Sequence, residues 1–209
     1  PNDIFFINNI LSNYKNQLRF KRLFDVVISI TLLSVTSPII LISYLLIYLE
    51  DFQSPIYKQI RTGLNCKLIK IYKLRTMHKS AEIKGAQWAT RNDNRITYVG
   101  KILRKTRIDE LPQLINVIKG DMTLIGPRPE RPEIEQNLNK EIDHYKLRYL
   151  MKPGLSGWAQ VNFPYSASIK DSEIKLSYDV FYIKNFSLLL DLLIFFKTIK
   201  LVFNGKGSK

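Results

Sequence analysis

The sequence predicts an α/β protein, mostly helical with a small β-hairpin or sheet. A re-entrant helix-break-helix membrane hairpin carries one cytosolic domain with interfacial amphipathic helices. Three stretches predict this. Val26 to Leu49 runs for 24 residues without a charge and holds Ser37-Pro38 at its midpoint. Ile56–Ile60 and Leu68–Leu74 read as strands about the turn Arg61-Thr-Gly-Leu-Asn65. Asp109-Glu110 opens a short apolar helical pattern closed by Gly120, and Gly126-Pro-Arg-Pro129 follows as a stiff bend.

The chain divides into a basic juxtamembrane segment (1–20), the membrane hairpin (21–50), a cytosolic domain (51–204) and a disordered tail (205–209). It begins without Met, as a piece of a longer or processed protein would. As a straight helix Val26–Leu49 would measure about 36 Å, enough to cross a hydrocarbon core of about 30 Å. Both flanks are basic, however: Lys15, Arg19, Lys21 and Arg22 precede it, and Lys58, Arg61, Lys67, Lys70 and Lys73 follow. That bias places both ends on the cytoplasmic side. One segment with both ends on one side must turn back, and the proline at position 38 supplies the bend. A kinked single span is the alternative.

In the second strand Leu68, Lys70, Tyr72 and Leu74 share one face, and Ile69, Ile71, Lys73 and Arg75 the other. The latter face turns from apolar to basic, so Lys73 and Arg75 suit the wall of an anion site as well as a solvated strand end. Residues 78–94 read as a short helix and a loop, with His78 and His144 at the surface and Cys66 an ordinary strand or loop residue. The stretch from Ile96 then carries Lys101, Arg104, Lys105 and Arg107 into the carboxylate pair, and Arg104 is the cation expected to face it. Pro132–Tyr149 reads as one helix with Ile134, Leu138, Ile142, Tyr145 and Tyr149 inward. Lys152–Asn162 is a glycine-punctuated loop entering a short strand, with backbone able to approach a ligand. A helix over Ser172–Lys184 follows, anchored by Tyr178, Phe181 and Tyr182. Phe186–Phe203, interrupted by Asp191, Lys197 and Lys200, lies at a membrane interface or packs on the core.

The Asp109-Glu110 element organises the rest. Asp109 is a good N-cap, Pro112 is tolerated in the first turn, and Leu111, Leu114, Ile115 and Ile118 form the apolar face. A helix N-terminus favours negative charge, so Asp109 is expected to stay ionised. An anonymous Asp-Glu pair at a helix start usually does no more than cap. Here a guanidinium, Arg128, sits on the next bend, and guanidinium is a preferred phosphate partner. Paired carboxylates, an arginine and a basic surround point to Mg²⁺ with a phosphorylated substrate.

Composition agrees. The net charge is +14, from 32 Lys and Arg against 18 Asp and Glu, in a chain that is 45% hydrophobic. Such a chain suits phosphate-rich partners or an anionic membrane face. The lone cysteine excludes an internal disulfide, and no Cys/His cluster has zinc spacing. No nucleic-acid motif or aromatic-basic array is present, so nucleic acid is not an expected partner. A membrane-tethered basic adaptor or nucleic-acid-binding module without catalysis is the alternative function.

In order, the chain holds the Ser37-Pro38 break, Ile71-Tyr-Lys-Leu-Arg-Thr-Met77, Asp109-Glu-Leu-Pro-Gln-Leu114, Lys119-Gly-Asp-Met122, Ile125-Gly-Pro-Arg-Pro129 and Pro153-Gly-Leu-Ser-Gly-Trp-Ala-Gln-Val-Asn162. Together these closely resemble the bacterial sugar transferases known as monotopic polyprenyl-phosphate phosphoglycosyl transferases, over about residues 19 to 204. The resemblance implies transfer of a sugar-1-phosphate from a UDP-sugar to undecaprenyl phosphate with release of UMP, at the cytoplasmic face of the bacterial inner membrane. It implies a nucleophile at Asp109, with Glu110 beside it, Mg²⁺ held by both, and phosphate-binding arginines at Arg104 and Arg128. Lys73 and Arg75 join them as candidates, membrane lipids are further partners, and a homo-oligomer is allowed for. Many small members continue with Gly-Arg after the Asn; here Phe163-Pro164-Tyr165 follows, as in the catalytic domains of larger members.

Overall fold

The computed structural model describes residues 12–83, 85, 93–163 and 168–204. The expected tail at 205–209, residues 1–11 and most of the 84–92 loop lie outside the described residues. Helix α1 spans Lys15–Asp51, so the basic flank from Lys15 onward belongs to the helix. Among the described residues it is the one helix long and apolar enough to cross a membrane. The expected break is absent as an interruption: the helix runs through Ser37 and Pro38. Proline cannot donate to the Ser34 carbonyl four residues back. The Ser37 hydroxyl donates to that carbonyl instead, at 2.8 Å, and so supports the turn the proline weakens.

Both ends of α1 are fastened to the rest of the chain. At the start, Lys21 pairs with Asp191 at 2.6 Å, and Asp25 accepts from the Leu124 amide at 3.2 Å and from the Thr123 hydroxyl. At the finish, Ile47 packs with Leu74 and Leu103, and Asp51 takes two bonds from Arg75. Between them Val27, Ile30, Val35, Ile39 and Leu41 stay exposed on the outer face.

Strands β1 (Ile56–Thr62) and β2 (Leu68–Leu74) form an antiparallel hairpin, with Ile56 opposite Leu74 and Thr62 opposite Leu68. β1 runs two residues further than its apolar pattern, which moves Arg61 out of the turn and onto the strand. Cys66 sits exposed in the turn that remains. After helix α2 (Tyr98–Thr106) come a 3₁₀ turn (Ile108–Gln113) and helix α3 (Leu114–Lys119). Asn116 clips α3 to the free edge of β2: its side-chain amide donates to the Lys70 carbonyl at 2.7 Å and accepts from the Tyr72 amide at 3.2 Å. The 3₁₀ start rotates the following helix, so Leu114 and Val117 are buried while Ile115 is exposed, contrary to the expected face.

Strands β3 (Thr123–Ile125) and β4 (Gly154–Ser156) pair in parallel. The backbone of the 152–157 loop does make a close approach, but to the chain itself. A Cβ on Gly154 would lie 2.1 Å from the Gly126 amide nitrogen, and one on Gly157 would lie 2.2 Å from the Gly126 carbonyl oxygen. Backbone cannot yield by that much. Gly154→Ala is therefore expected to cost about 3 kcal/mol or more, read as a fall in melting temperature.

Helix α4 (Pro132–Glu141) is shorter than its pattern, since His144 turns left-handed (φ 60°) and a 3₁₀ turn (Tyr145–Leu150) follows. The five inward residues nevertheless gather in one cluster with Leu176. The short strand of the 152–162 stretch is β4, and residues 158–162 after it form helix α5 (Trp158–Asn162). Helix α6 (Ile169–Lys184) opens on a Ser168–Asp171 capping box. Of its three aromatics only Tyr182 is an internal anchor; Phe181 stacks on Trp158 with ring centres 5.9 Å apart, and Tyr178 lies 6.2 Å from Phe163. The main core joins Ile71, Leu114, Val117, Met122, Tyr182, Ile183 and Phe186. Helix α7 (Leu188–Phe203) buries Ile194 and leaves Leu189, Leu192, Leu193 and Phe196 exposed.

Candidate active site

The dyad is built where α2 ends. Arg107 adopts a left-handed turn (φ 61°), and the chain reverses into the 3₁₀ turn that carries Asp109 and Glu110. Asp109 is not the cap expected of it: it lies inside the turn, and both carboxylates are buried, at 7% and 8% exposure.

The two acids have opposite surroundings. Glu110 Oε1 accepts from Lys73 Nζ at 2.8 Å and from Arg128 Nη2 at 2.6 Å, and Arg107 Nη1 lies 3.8 Å from Oε2. Burial alone would raise its pKa, but Arg128, Lys73 and Arg107 outweigh it and hold Glu110 well below the usual carboxylate range. Asp109 has no such clamp. Burial, and then the charge of Glu110, push it up to about 6 against the pull of Lys73, Arg104 and Arg107. This reverses the expected dipole effect, because desolvation exceeds what a single short turn can supply.

Lys73 reaches the dyad because it alternates with Ile71, whose side chain enters the core on the same strand face. Its own pKa is lowered by burial, with Glu110 opposing. Arg128 is held by its backbone: Arg148 Nη2 donates to the Arg128 carbonyl at 2.8 Å. Arg148 is in turn paired with the buried Asp179 at 2.8 Å, and its guanidinium lies 5.1 Å from the Tyr145 ring centre.

Arg104 lies within electrostatic reach of Asp109, and its Nη1 is buried with no hydrogen-bond partner among the described residues. Asp109 Oδ1 is likewise buried and unpartnered. An unfilled acceptor and an unfilled donor thus mark the places where a ligand can enter.

Arg75 does not join the cluster. Its two Nη atoms bond both oxygens of Asp51 at 2.5 Å, so it fastens the end of α1 and does not line the dyad. One residue past β2, the strand alternation no longer applies. Two cations were missed as site residues. Arg107 was legible only as one of four clustered basic residues; its left-handed turn has no signal in the sequence. Arg61 appeared to lie in a turn, yet it donates to the Pro129 carbonyl at 3.0 Å, behind Arg128.

A divalent cation fits the dyad in one way. Glu110 Oε1 is already shared by two cations, while Asp109 Oδ1 is free to accept. Among the described residues no third His, Cys, Asp or Glu joins them. Mg²⁺ commonly binds through one or two protein carboxylates, with substrate phosphates and waters completing the shell.

The profile of the bacterial sugar transferase family matches residues 16–205. A UDP-N-acetylgalactosamine-undecaprenyl-phosphate N-acetylgalactosaminephosphotransferase of Aeromonas hydrophila is 46% identical over 90% of this chain and 45% of its own length. A UDP-glucose:undecaprenyl-phosphate glucose-1-phosphate transferase of Klebsiella pneumoniae is 37% identical, over 90% of this chain and 41% of its own. The chain thus spans less than half the length of these two relatives. An exopolysaccharide production protein of Rhizobium leguminosarum is 37% identical over 91% of this chain and 98% of its own length.

Proposed function

This chain belongs to the bacterial sugar transferase family, and we propose that it moves a sugar-1-phosphate from a UDP-sugar to undecaprenyl phosphate. The observation that carries this is the asymmetry of the dyad: Glu110 is neutralised by Lys73 and Arg128, while Asp109 keeps an unpaired oxygen beside an unpaired Arg104 donor. In the proposed reaction an Asp109 oxygen attacks the sugar-bearing phosphorus and the bond to the second phosphate breaks. UMP leaves, with its charge met by the arginines. An oxygen of the lipid phosphate then attacks the same phosphorus and releases Asp109. With a pKa near 6, Asp109 is ionised at neutral pH and more basic than an ordinary carboxylate, as a carboxylate nucleophile requires. Mg²⁺ held through Asp109 Oδ1, with Glu110 beside it, would supply charge neutralisation for the diphosphate.

The test is UMP release by detergent-solubilised protein given undecaprenyl phosphate, Mg²⁺ and a panel of UDP-sugars. Release that needs the lipid and the metal supports the reading; a folded protein inert with every nucleotide sugar overturns it. Arg104→Ala is expected to lower kcat/KM by about 10²-fold, the effect of losing one preorganised donor. Arg75→Ala should lower stability and leave KM for the donor unchanged.

For the membrane we propose that α1 enters and leaves on the cytoplasmic face. The fastening of both its ends to one domain supports this, since Asp25 and Ile47 would stand about 33 Å apart on a straight helix. Exposed leucines and phenylalanines on α7 support interfacial docking of that helix. In a Cys66→Ser background, single cysteines at Asn13 and Gln53 are expected to react with a membrane-impermeant maleimide from the cytoplasmic side alone. Labelling of the two from opposite sides would establish a span instead.

A further inference from the structure

We propose a second, non-catalytic anion site at the start of α1 that takes the phosphate of an anionic lipid headgroup. A cleft of about 460 Å³ opens there, lined by Ser12, Lys15, Leu18, Arg19, Arg22 and Lys152. Four of these six side chains are cationic and none is acidic.

Arg22 is already committed, donating to the carbonyls of Val117 and Ile118 at 2.5 and 2.7 Å, where it caps the C-terminal end of α3. Among the described residues, Lys15, Arg19 and Lys152 form no ion pair. Arg22 Nη2 and Lys152 Nζ converge, lying 3.4 and 3.8 Å from the point where a Cβ on Gly120 would stand. Burial and then Arg22 lower the pKa of Lys152, with Asp25 and Asp121 opposing. Asp25 is itself taken up by Thr123 and the Leu124 amide. Like charges brought this close on facing elements repel unless an anion joins them.

The surroundings favour a lipid over a free ion. The uncharged stretch of α1 begins at Val26, one turn beyond Arg22. Phe20, Leu23 and Phe24 are exposed at 59%, 61% and 58% beside the cations. A cationic cleft with an apolar flank, at the depth where a bilayer changes from headgroup to acyl chain, matches an amphiphile. The site is separate from the dyad, which opens the segment whose far end Arg22 caps. The inference rests on the membrane reading of α1.

The test compares the detergent-solubilised chain with the variant Lys15→Gln/Arg19→Gln/Lys152→Gln. Native mass spectrometry is run with phosphatidylglycerol and phosphatidylcholine of identical acyl chains. One retained phosphatidylglycerol per wild-type chain is expected, preferred about tenfold or more over phosphatidylcholine, with the preference gone in the variant. An equal preference in the variant, or none in the wild type, overturns the site. Full displacement by millimolar inorganic phosphate would overturn the lipid assignment and leave a free-anion site. Flotation with neutral phosphatidylcholine vesicles separates the two readings. If wild type and variant both float, α1 is membrane-bound whatever the fate of the cleft; if neither does, the membrane reading fails first.

Discussion

Asp109→Asn is expected to abolish turnover, by about 10³-fold or more, while making the protein more stable at neutral pH. The activity loss follows from removing the ionised carboxylate whose buried Oδ1 has no partner among the described residues, and it matches the scale seen when a covalent nucleophile is removed. The stability gain follows from burial. Asp109 has an ordinary pKa of 3.8 and reaches about 6 in the folded chain. A raised folded-state pKa means the native state binds the proton more tightly than the unfolded chain does. The resulting stability is full below about pH 4 and is lost as pH rises through about 6. Ionising Asp109 therefore costs on the order of 3 kcal/mol at pH 8, and the neutral amide removes that cost. Melting curves of wild type and variant should diverge at pH 8 and converge by pH 4. A variant less stable than wild type at pH 8 would show that attraction to Lys73, Arg104 and Arg107 exceeds desolvation. In the wild type, UMP release should fall as pH drops through about 6.

The second large effect is Arg148→Ala. This guanidinium, 4% exposed, is paired with Asp179, 2% exposed, and also donates to the Arg128 carbonyl. Removing one member of a buried pair leaves the other charge uncompensated, at about 3–5 kcal/mol. Burial already pushes Asp179 up to about 6 against the pull of Arg148, so losing Arg148 should drive it to take a proton near neutrality. The loss of stability should accordingly be smaller at pH 5 than at pH 8. Pairing Arg148→Met with Asp179→Leu is expected to restore most of the stability, as apolar replacements of buried ion pairs often do. It should not restore activity, because the Arg128 backbone still lacks its donor. Activity that returned together with stability would reduce Arg148 to a purely structural role.

Both effects depend on features that a linear reading reaches unevenly. The Asp109-Glu110 pair, Arg104, Arg128 and Lys73 were legible as a group. Their spacing, the strand alternation that turns Lys73 with Ile71, and the resemblance of the surrounding motifs point the same way. The apolar set Ile134, Leu138, Ile142, Tyr145 and Tyr149 gathers in one cluster as its spacing predicts, although the helix carrying it ends at Glu141. Inward residues follow the hydrophobic pattern, whereas helix ends are decided by local turns such as the left-handed His144.

What the sequence determined by itself was the adjacency of the two carboxylates and the existence of an apolar helix with a proline in it. Those properties are local, carried by residue type and spacing within one element. Tertiary structure alone decided the charge state of the dyad. Glu110 and Asp109 are neighbours with the same chemistry, and they titrate apart because Lys73 and Arg128 arrive from other elements to meet only one of them. It also decided that Arg75 serves Asp51, that Arg107 stands close to Glu110, and that Arg61 lies behind Arg128. Electrostatics acts through space, over distances that chain separation does not predict. Lys73 and Arg128, 37 and 18 residues from Glu110 along the chain, meet it because of how the core packs.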